Sequence, residues 1–560
     1  MTRLRLRIIW FYCYLGAWKY ALNIVFKKLF RKRRPIGVSP ETHFLRSAWR
    51  WSTYVARVVF RRASCVGRKL LRLHRRLISH ASYTLFDRLR KVENPKQALQ
   101  DFLVCSSLRS FSADELSGVL ALALECRDYK TADQCVEQLF SSFPLEIQIQ
   151  RGAAVRSFLQ EEYDYADRIH SLSEENRENE FCSRGLDRCR FRYLGPSWFI
   201  AIGHIAHLDT LLKHRALIDA PPINYLPIIP AQLELPNSYY LNLWKPLLTP
   251  LEAVSVPRLA FDDVTILQDE FWSLRVSSQQ TLNYYKAGAF VQRAWAAENR
   301  GPLLKLPEAD IEHGWLKLER LGVPAGSWFV CLHVRESGFH KGWHTINPGT
   351  RNADPATYRQ AIDAVVARGG FVVRMGDMSM SPMPGIKGLI DYAHSEAKSE
   401  WMDIFLCAKC SFFIGTNSGL GLIPPTFGVP CAMTNWSPIA IPQWYPEDLF
   451  IPKLVRSIRE NRILTFEEMF ATRVGWAQFE KYFKENGLEV VDNSPEEIRD
   501  LVVEMLDRLS GDIDYNGDDA VRLSLFEKQS QQFAGYVGSR MGRDFLRKYS
   551  LLLPKPSNNA

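Results

Sequence analysis

Acidic residues are nearly missing from the first 91 positions. There, 23 Lys and Arg face only Glu41 and Asp87, a local charge of +21 in a 560-residue chain whose formal total is +10. The rest of the chain is therefore net negative, so attraction to polyanionic surfaces is confined to the N-terminal arm. Cysteine is sparse as a framework. Its 11 copies fall at no regular spacing, which excludes a disulfide scaffold and, with no cleavable signal peptide read at the start, points to a reducing compartment. Cys407-Ala-Lys-Cys410 has no second pair for zinc and no thioredoxin-like surroundings, so its thiols are expected to be buried packing groups. No Lys-Ser or Lys-Thr follows Gly415-Thr416-Asn417-Ser418-Gly419, which excludes a Walker loop. The Asp-x-Asp of Asp512-Ile513-Asp514 follows no strand. The stretch imitates an EF-hand through Asn516 and Gly517, but Leu523 stands where the bidentate Glu belongs, so no metal is expected.

What is present is a globular chain, 46% hydrophobic and 12% aromatic, long enough for two to four domains. Residues 1–91 read as a basic amphipathic arm. Ile8 to Phe26 carries one charge, Lys19, with positive residues on both sides, and Tyr12, Gly16, Lys19, Asn23 and Lys27 share one helical stripe. A helix lying in a membrane interface fits better than a spanning one. Beyond it, Trp49, Trp51 and Tyr54 interleave with Arg46, Arg50, Arg57, Arg61 and Arg62, the pattern that meets anionic headgroups. Nucleic acid is the rival partner, but the apolar run has no use on a duplex, so none is expected.

Residues 92–190 read as helical, with Ala98, Ala132 and Ala166 spaced 34 apart and Tyr129 and Tyr163 at the same interval. This is the tetratricopeptide period, although the repeat's Trp and Leu-Gly positions are missing, and such a segment serves as a connector or a platform for a protein partner. From Gly195 the pattern becomes α/β. Residues 191–322 are expected to open with a strand from Trp198 to Ile202 ending at Gly203-His204, followed by strands in "PPINYLPIIP" and "EAVSVP" and a helical stretch from about Thr265 to Asn299. Residues 323–510 alternate more clearly: "SWFVCLHVR", "FVVRMGD", "LIDYA", "SFFIGT" and "PCAMTN" as strands, with helices between them. Continuous apolar strands with helical crossovers mean a parallel doubly wound sheet, whose ligands lie beyond the carboxyl ends of the strands. Residues 511–560 read as a tail and helix.

At those strand ends the polar residues gather: His333 and Arg335, then Arg374, Gly376 and Asp377, then Asp391, then Gly415, Thr416, Asn417, Ser418 and Gly419. Two arginines beside a glycine turn that opens a helix have the electrostatics of a diphosphate site.

The stretch from Cys331 to Lys453, with "CLHVRESGF", "RNADPATYRQAI", "VVRMGD", "FIGTNSG" and "FGVPCAMTN", together with "IAIGHIAHLDTLLK" upstream, resembles a family of bacterial glycosyltransferases with two Rossmann-like domains, the GT-B architecture. The resemblance covers roughly residues 190 to 460. It implies an acceptor half, a donor half whose turn at Gly415 seats a sugar nucleotide's phosphates, and transfer to a glycan acceptor. With the basic arm and the cysteine usage, the expected setting is polysaccharide biosynthesis on a lipid-linked or envelope acceptor at the cytoplasmic face of the inner membrane. Enzymes of this architecture often place a base after the first strand, which implies His204, with His207 and Asp209 nearby, as the catalytic group. A weaker similarity runs to GDP-fucose-dependent transferases through His333-Val334-Arg335, but Glu336 replaces their second arginine. A nucleotide-sugar epimerase or hydrolase on the same fold, or a non-catalytic membrane-bound scaffold, remains as an alternative.

Overall fold

The computed structural model describes residues 94–105, 108–251, 259–277, 280–336, 349–441, 443–535 and 537–554. The basic arm, with Ile8 to Phe26, and the expected strand in "EAVSVP" lie outside them. The chain divides into two compact units, Met1–Ser110 and Phe111–Ala560. The first is described through the helix Pro95–Cys105, opened by Asn94, whose side-chain oxygen accepts the Gln97 amide at 3.1 Å.

The second unit begins with four helices, Ala113–Glu125, Tyr129–Ser142, Ile147–Leu159 and Tyr163–Ser183. Ser112 and Glu115 form a reciprocal capping box at the first, and Asp128 caps the second. The two helix pairs begin 34 residues apart, and the turn inside each passes through a left-handed residue, Arg127 at φ 54° and Glu161 at φ 65°. Ala132 and Ala166 are fully buried, the small side chains letting neighbouring helices approach.

A small parallel sheet follows, from β1 (Phe191–Leu194), β2 (Asn224–Pro227) and β3 (Gln268–Asp269), in the order β2-β1-β3. Its first strand lies earlier than the apolar run suggested. Trp198 and Phe199 are buried but sit in a tight turn, and Ile202–Ala206 is already helical. Trp198 and Phe199 fill the core from that turn while Ile200 is exposed, and periodicity alone cannot tell such filler from a strand. The stretch expected to be helical from Thr265 opens instead with β3 and a hairpin, β4 (Ser273–Ser277) and β5 (Gln280–Asn283), before the helix Tyr284–Ala297.

The second half is built on seven strands. These are β6 (Phe329–His333), β7 (Phe371–Arg374), β8 (Leu389–Ile390), β9 (Phe413–Gly415), β10 (Cys431–Trp436), β11 (Leu449–Pro452) and, after β12 (Leu454–Ser457), β13 (Arg462–Ile463) and β14 (Leu488–Val491), β15 (Arg540–Met541). Their order is β15-β11-β10-β9-β6-β7-β8, every pair parallel. All five residues of β6 and all six of β10 are buried, as a strand covered on both faces requires. The C-terminal segment is part of this sheet, since β15 forms its edge against β11. β12, β13 and β14 make a separate antiparallel sheet. One continuous hydrophobic core runs through both halves.

Candidate active site

The turn that follows β9 in the second half and the start of the helix Ile202–Ala206 in the first meet at a pair of glycines. A Cβ on Gly203 would stand 2.8 Å from the Gly419 Cα, and one on Gly419 would stand 3.1 Å from the Gly203 nitrogen. Only residues without a side chain permit this approach. It brings His204 of one half beside the Gly415–Gly419 turn of the other.

His204 is half-buried, its ring stacked on Phe271 at 4.0 Å between centroids and edge-on to Trp272. Its Nδ1 lies 2.6 Å from the Ser197 carbonyl oxygen. A carbonyl only accepts, so Nδ1 carries the proton and Nε2 keeps its lone pair. Burial holds the imidazole below its ordinary pKa, the Ser197 contact opposing. His207 is buried, face to face with Trp444 at 4.9 Å and edge-on to Phe271 and Tyr284, and its Nδ1 has no hydrogen-bond partner among the described residues. Burial, then the neighbouring His204, lowers its pKa to about 3. Asp209 is fully buried and faces neither histidine. Its Oδ2 accepts from Lys213 at 2.8 Å, Gln292 at 2.8 Å and, from the other half, the Tyr445 hydroxyl at 3.2 Å. Burial pushes this carboxyl up while Lys213 pulls it down.

In the second half, the residues expected to bind a donor fall into two groups. Arg374, Gly376, Asp377 and Asp391 stand round one buried network at the ends of β7 and β8. The Arg374 side chain, wholly excluded from solvent, donates to Glu336 at 2.6 Å, to Asp391 at 3.4 Å and to the Ser381 carbonyl at 2.5 Å. Asp391 also accepts from the Met383 amide and contacts His394 at 3.0 Å, while Asp377 caps Ser379 at 2.7 Å. Gly376 has φ 145°, and its missing Cβ leaves room for the Met380 sulfur. Glu336 thus stands where its charge neutralises Arg374.

The second group surrounds the turn. Thr416 is buried, and its hydroxyl oxygen accepts the Arg335 amide at 2.9 Å. Ser418 lies 3.2 Å from His333 Nδ1, and Asn417 donates to the Ser437 carbonyl at 3.0 Å. These side chains hold the turn, and the amides of Asn417, Ser418 and Gly419 find no acceptor among the described residues. Successive unpaired N–H groups of this kind form a concavity suited to an anion. The expected helix after the turn is two short 3₁₀ segments, Leu420–Leu422 and Pro424–Phe427, so individual amides rather than a long macrodipole supply the attraction. His333 is buried, and burial followed by the charges of Arg335 and Arg374 lowers its pKa to about 4.

Arg335 has no ion-pair partner among the described residues, and its pKa falls to about 10 through burial and then the positive charge of Arg351. Arg351 is the residue that sequence reading missed. It too lacks an ion pair among the described residues, its Nε is buried without a partner, and its charge is felt by Tyr284 and Tyr285 of the first half. It lies in a loop rather than at a strand end, so no periodicity marks it. The available signal was its place in the quoted "RNADPATYRQAI" segment.

Among the described residues, no group of three or more His, Cys, Asp or Glu is placed to hold a metal ion, and no helix is long and apolar enough to cross a membrane. Asn516 is spent on a capping box with Asp519 at the start of the helix Gly517–Gln529. Cys407 and Cys410 are buried, and Cys410 Sγ lies 3.6 Å from the Cys407 carbonyl.

No family model matches the chain, and no curated protein does. Three solved structures are similar to it. A family 9 glycosyltransferase from Veillonella parvula shares 11% identity over 44% of this chain and 80% of its own, with a TM-score of 0.26. The ADP-heptose LPS heptosyltransferase II of E. coli shares 12% over 47% of this chain and 90% of its own, with a TM-score of 0.27. The iron-containing dodecameric glycosyltransferase TibC from enterotoxigenic E. coli shares 13% over 46% of this chain and 62% of its own, with a TM-score of 0.27. At such scores these likenesses carry neither fold nor activity to this chain. The His-x-Arg similarity to fucose-specific transferases gains no support from them, and Glu336, at the position of the missing arginine, is occupied by Arg374.

Proposed function

We propose that the chain is a glycosyltransferase that moves a sugar from a nucleotide-diphosphate donor to an acceptor hydroxyl on a lipid-linked or cell-envelope glycan. One observation carries the reading. Arg335, whose backbone amide is held by Thr416 of the turn with three unpaired amides, and Arg351, whose charge reaches Arg335, have no ion-pair partners among the described residues, and the same turn meets the His204 segment at Gly203. Uncompensated, partly buried like charges disfavour the fold, and a diphosphate would relieve them through charge-assisted hydrogen bonds. In this reading His204 Nε2 takes the acceptor proton while the acceptor oxygen attacks the anomeric carbon. The bond from that carbon to the diphosphate oxygen breaks, and the charge left on the diphosphate falls to Arg335, Arg351 and the amides of Asn417, Ser418 and Gly419. These groups provide the counter-charge without calling for a metal ion. Asp209 then joins the halves, and Arg374 shapes the loop beyond β7.

The test is binding. Arg335→Ala and Arg351→Ala should each weaken the affinity for ADP, UDP or GDP, whichever binds most tightly, by about 1.5 to 3 kcal/mol. Calorimetry reads this directly, and the ligand's stabilisation of the fold in a thermal-shift screen reads it a second way. Unchanged affinity in both variants removes the diphosphate assignment.

The basic arm is part of the same proposal, as the attachment to an anionic membrane surface at which such an acceptor is met. Its support is the +21 charge of residues 1–91 interleaved with aromatic residues. Removing the arm should abolish flotation with anionic vesicles and leave nucleoside-diphosphate binding intact. Flotation of the truncated chain would sink this part alone. The helical segment as a platform for a protein partner is carried here too, on its 34-residue period.

A further inference from the structure

The helical segment reaches the proposed donor site through one short polar path. Glu161, in the turn between the helices Ile147–Leu159 and Tyr163–Ser183, is buried. Its Oε1 accepts the Gln478 amide N–H at 2.7 Å, and its Oε2 lies 3.3 Å from Arg473, which also donates to the Gln160 carbonyl at 3.0 Å. The Gln478 carbonyl in turn accepts the Thr350 hydroxyl at 2.6 Å, and the Gln478 side chain donates to the Tyr163 hydroxyl at 3.0 Å. Thr350 is the residue before Arg351. On the other side of Arg351, the Asn352 carbonyl accepts from the buried Lys453 at 2.6 Å, and the Ala353 amide donates to the Arg335 carbonyl at 3.0 Å. Arg335 then donates to Thr416 in the anion-facing turn.

The turn itself does not demand a glutamate. Arg127 holds the equivalent place in the preceding helix pair, at a similar left-handed φ, and its side chain is exposed. A carboxylate at the second turn is buried, yet ends on a backbone amide of another part of the fold. Burying a charge is costly, and it is offset here by the Gln478 amide and by Arg473.

We propose that Glu161 is a positioning residue for the donor site: by fixing Gln478, it holds Thr350 and so aims Arg351 at the diphosphate. This rests on the diphosphate reading above. Loosening a supporting contact lets a binding group wander from its productive geometry, so the loss appears in affinity even though Glu161 touches no ligand.

The experiment measures the dissociation constant of the full chain for the best-bound of ADP, UDP and GDP in a double-mutant cycle. Glu161→Ala should weaken binding about tenfold, whereas Glu161→Gln, which keeps an acceptor oxygen for the Gln478 amide, should stay within about twofold of the parent. Thr350→Val cuts the same path without touching the helices and should reproduce the loss, which keeps the test open if Glu161→Ala does not fold. In an Arg351→Ala background, Glu161→Ala should add less than about twofold. A general loss of packing would lower the melting temperature and leave affinity alone, or would weaken binding equally with and without Arg351, and either result overturns the proposal. If Arg335→Ala and Arg351→Ala themselves leave affinity unchanged, or the parent binds none of the three nucleotides, the diphosphate reading fails first and the relay with it.

Discussion

Replacing His204 with alanine should lower turnover by about 10²- to 10⁴-fold, the range that a positioned general base supplies, while donor affinity stays close to that of the parent. The expectation follows from the ring's two contacts. The Ser197 carbonyl fixes the proton on Nδ1, and stacking on Phe271 fixes the ring plane, so Nε2 is held as an acceptor at the seam. Since burial lowers the pKa of His204 from 6.5, the imidazole is neutral at pH 7, and kcat/KM should fall only as pH drops below that value. His170 and His333 at about 4 and His207 at about 3 are also held neutral in the fold. Below pH 6.5 these histidines bind more protons in the unfolded chain than in the native one, so their contribution to stability is lost as pH falls towards those values, opposed by Asp448, whose carboxyl burial pushes up to about 8. Circular dichroism at each pH separates that loss from titration of the base. An alanine variant that turns over at the parental rate would remove His204 from the chemistry.

The second half was the more legible in sequence because its strands are fully buried and read as unbroken apolar runs. "FVCLH" and "CAMTNW" need no alternation to be recognised. The first half hides its strands. β1 is "FRYL", with two half-exposed central residues, while in the more apolar "WFIAI" beside it only Trp198 and Phe199 pack the core, from a turn. The hairpin "SLRVS" and "QTLN" is polar enough to disappear into a helical reading. At the site, sequence located arginines at strand ends but could not see their neighbours. Arg335 and Arg374 look alike on paper. Glu336 and Asp391 come from separate loops, so only the folded chain shows that Arg374 is neutralised while Arg335 stands with Arg351. The glycines at 203 and 419, which join the halves, were visible singly as turn residues, but their contact is a tertiary fact.

That difference between the two arginines makes the last expectation a sharp one. Arg374→Ala should destabilise the fold by about 3 to 5 kcal/mol, the cost of breaking a buried ion pair from one side. The guanidinium is wholly enclosed, and its removal strands two carboxylates, with Glu336 at 12% and Asp391 at 19% side-chain exposure. The Ser381 carbonyl loses its donor as well. Lysine would restore charge but not the fork that reaches Glu336, Asp391 and Ser381 together, so Arg374→Lys should recover only part of the loss. Denaturant unfolding of the two variants and the parent measures this. The double variant Arg374→Leu with Glu336→Leu, which removes charge from both sides, should be more stable than Arg374→Ala, because unpaired buried charge rather than lost attraction dominates the cost. An Arg374→Ala protein with parental stability and much weaker nucleoside-diphosphate binding would return this arginine to the anion site and take away the division between the two groups of donor-side residues.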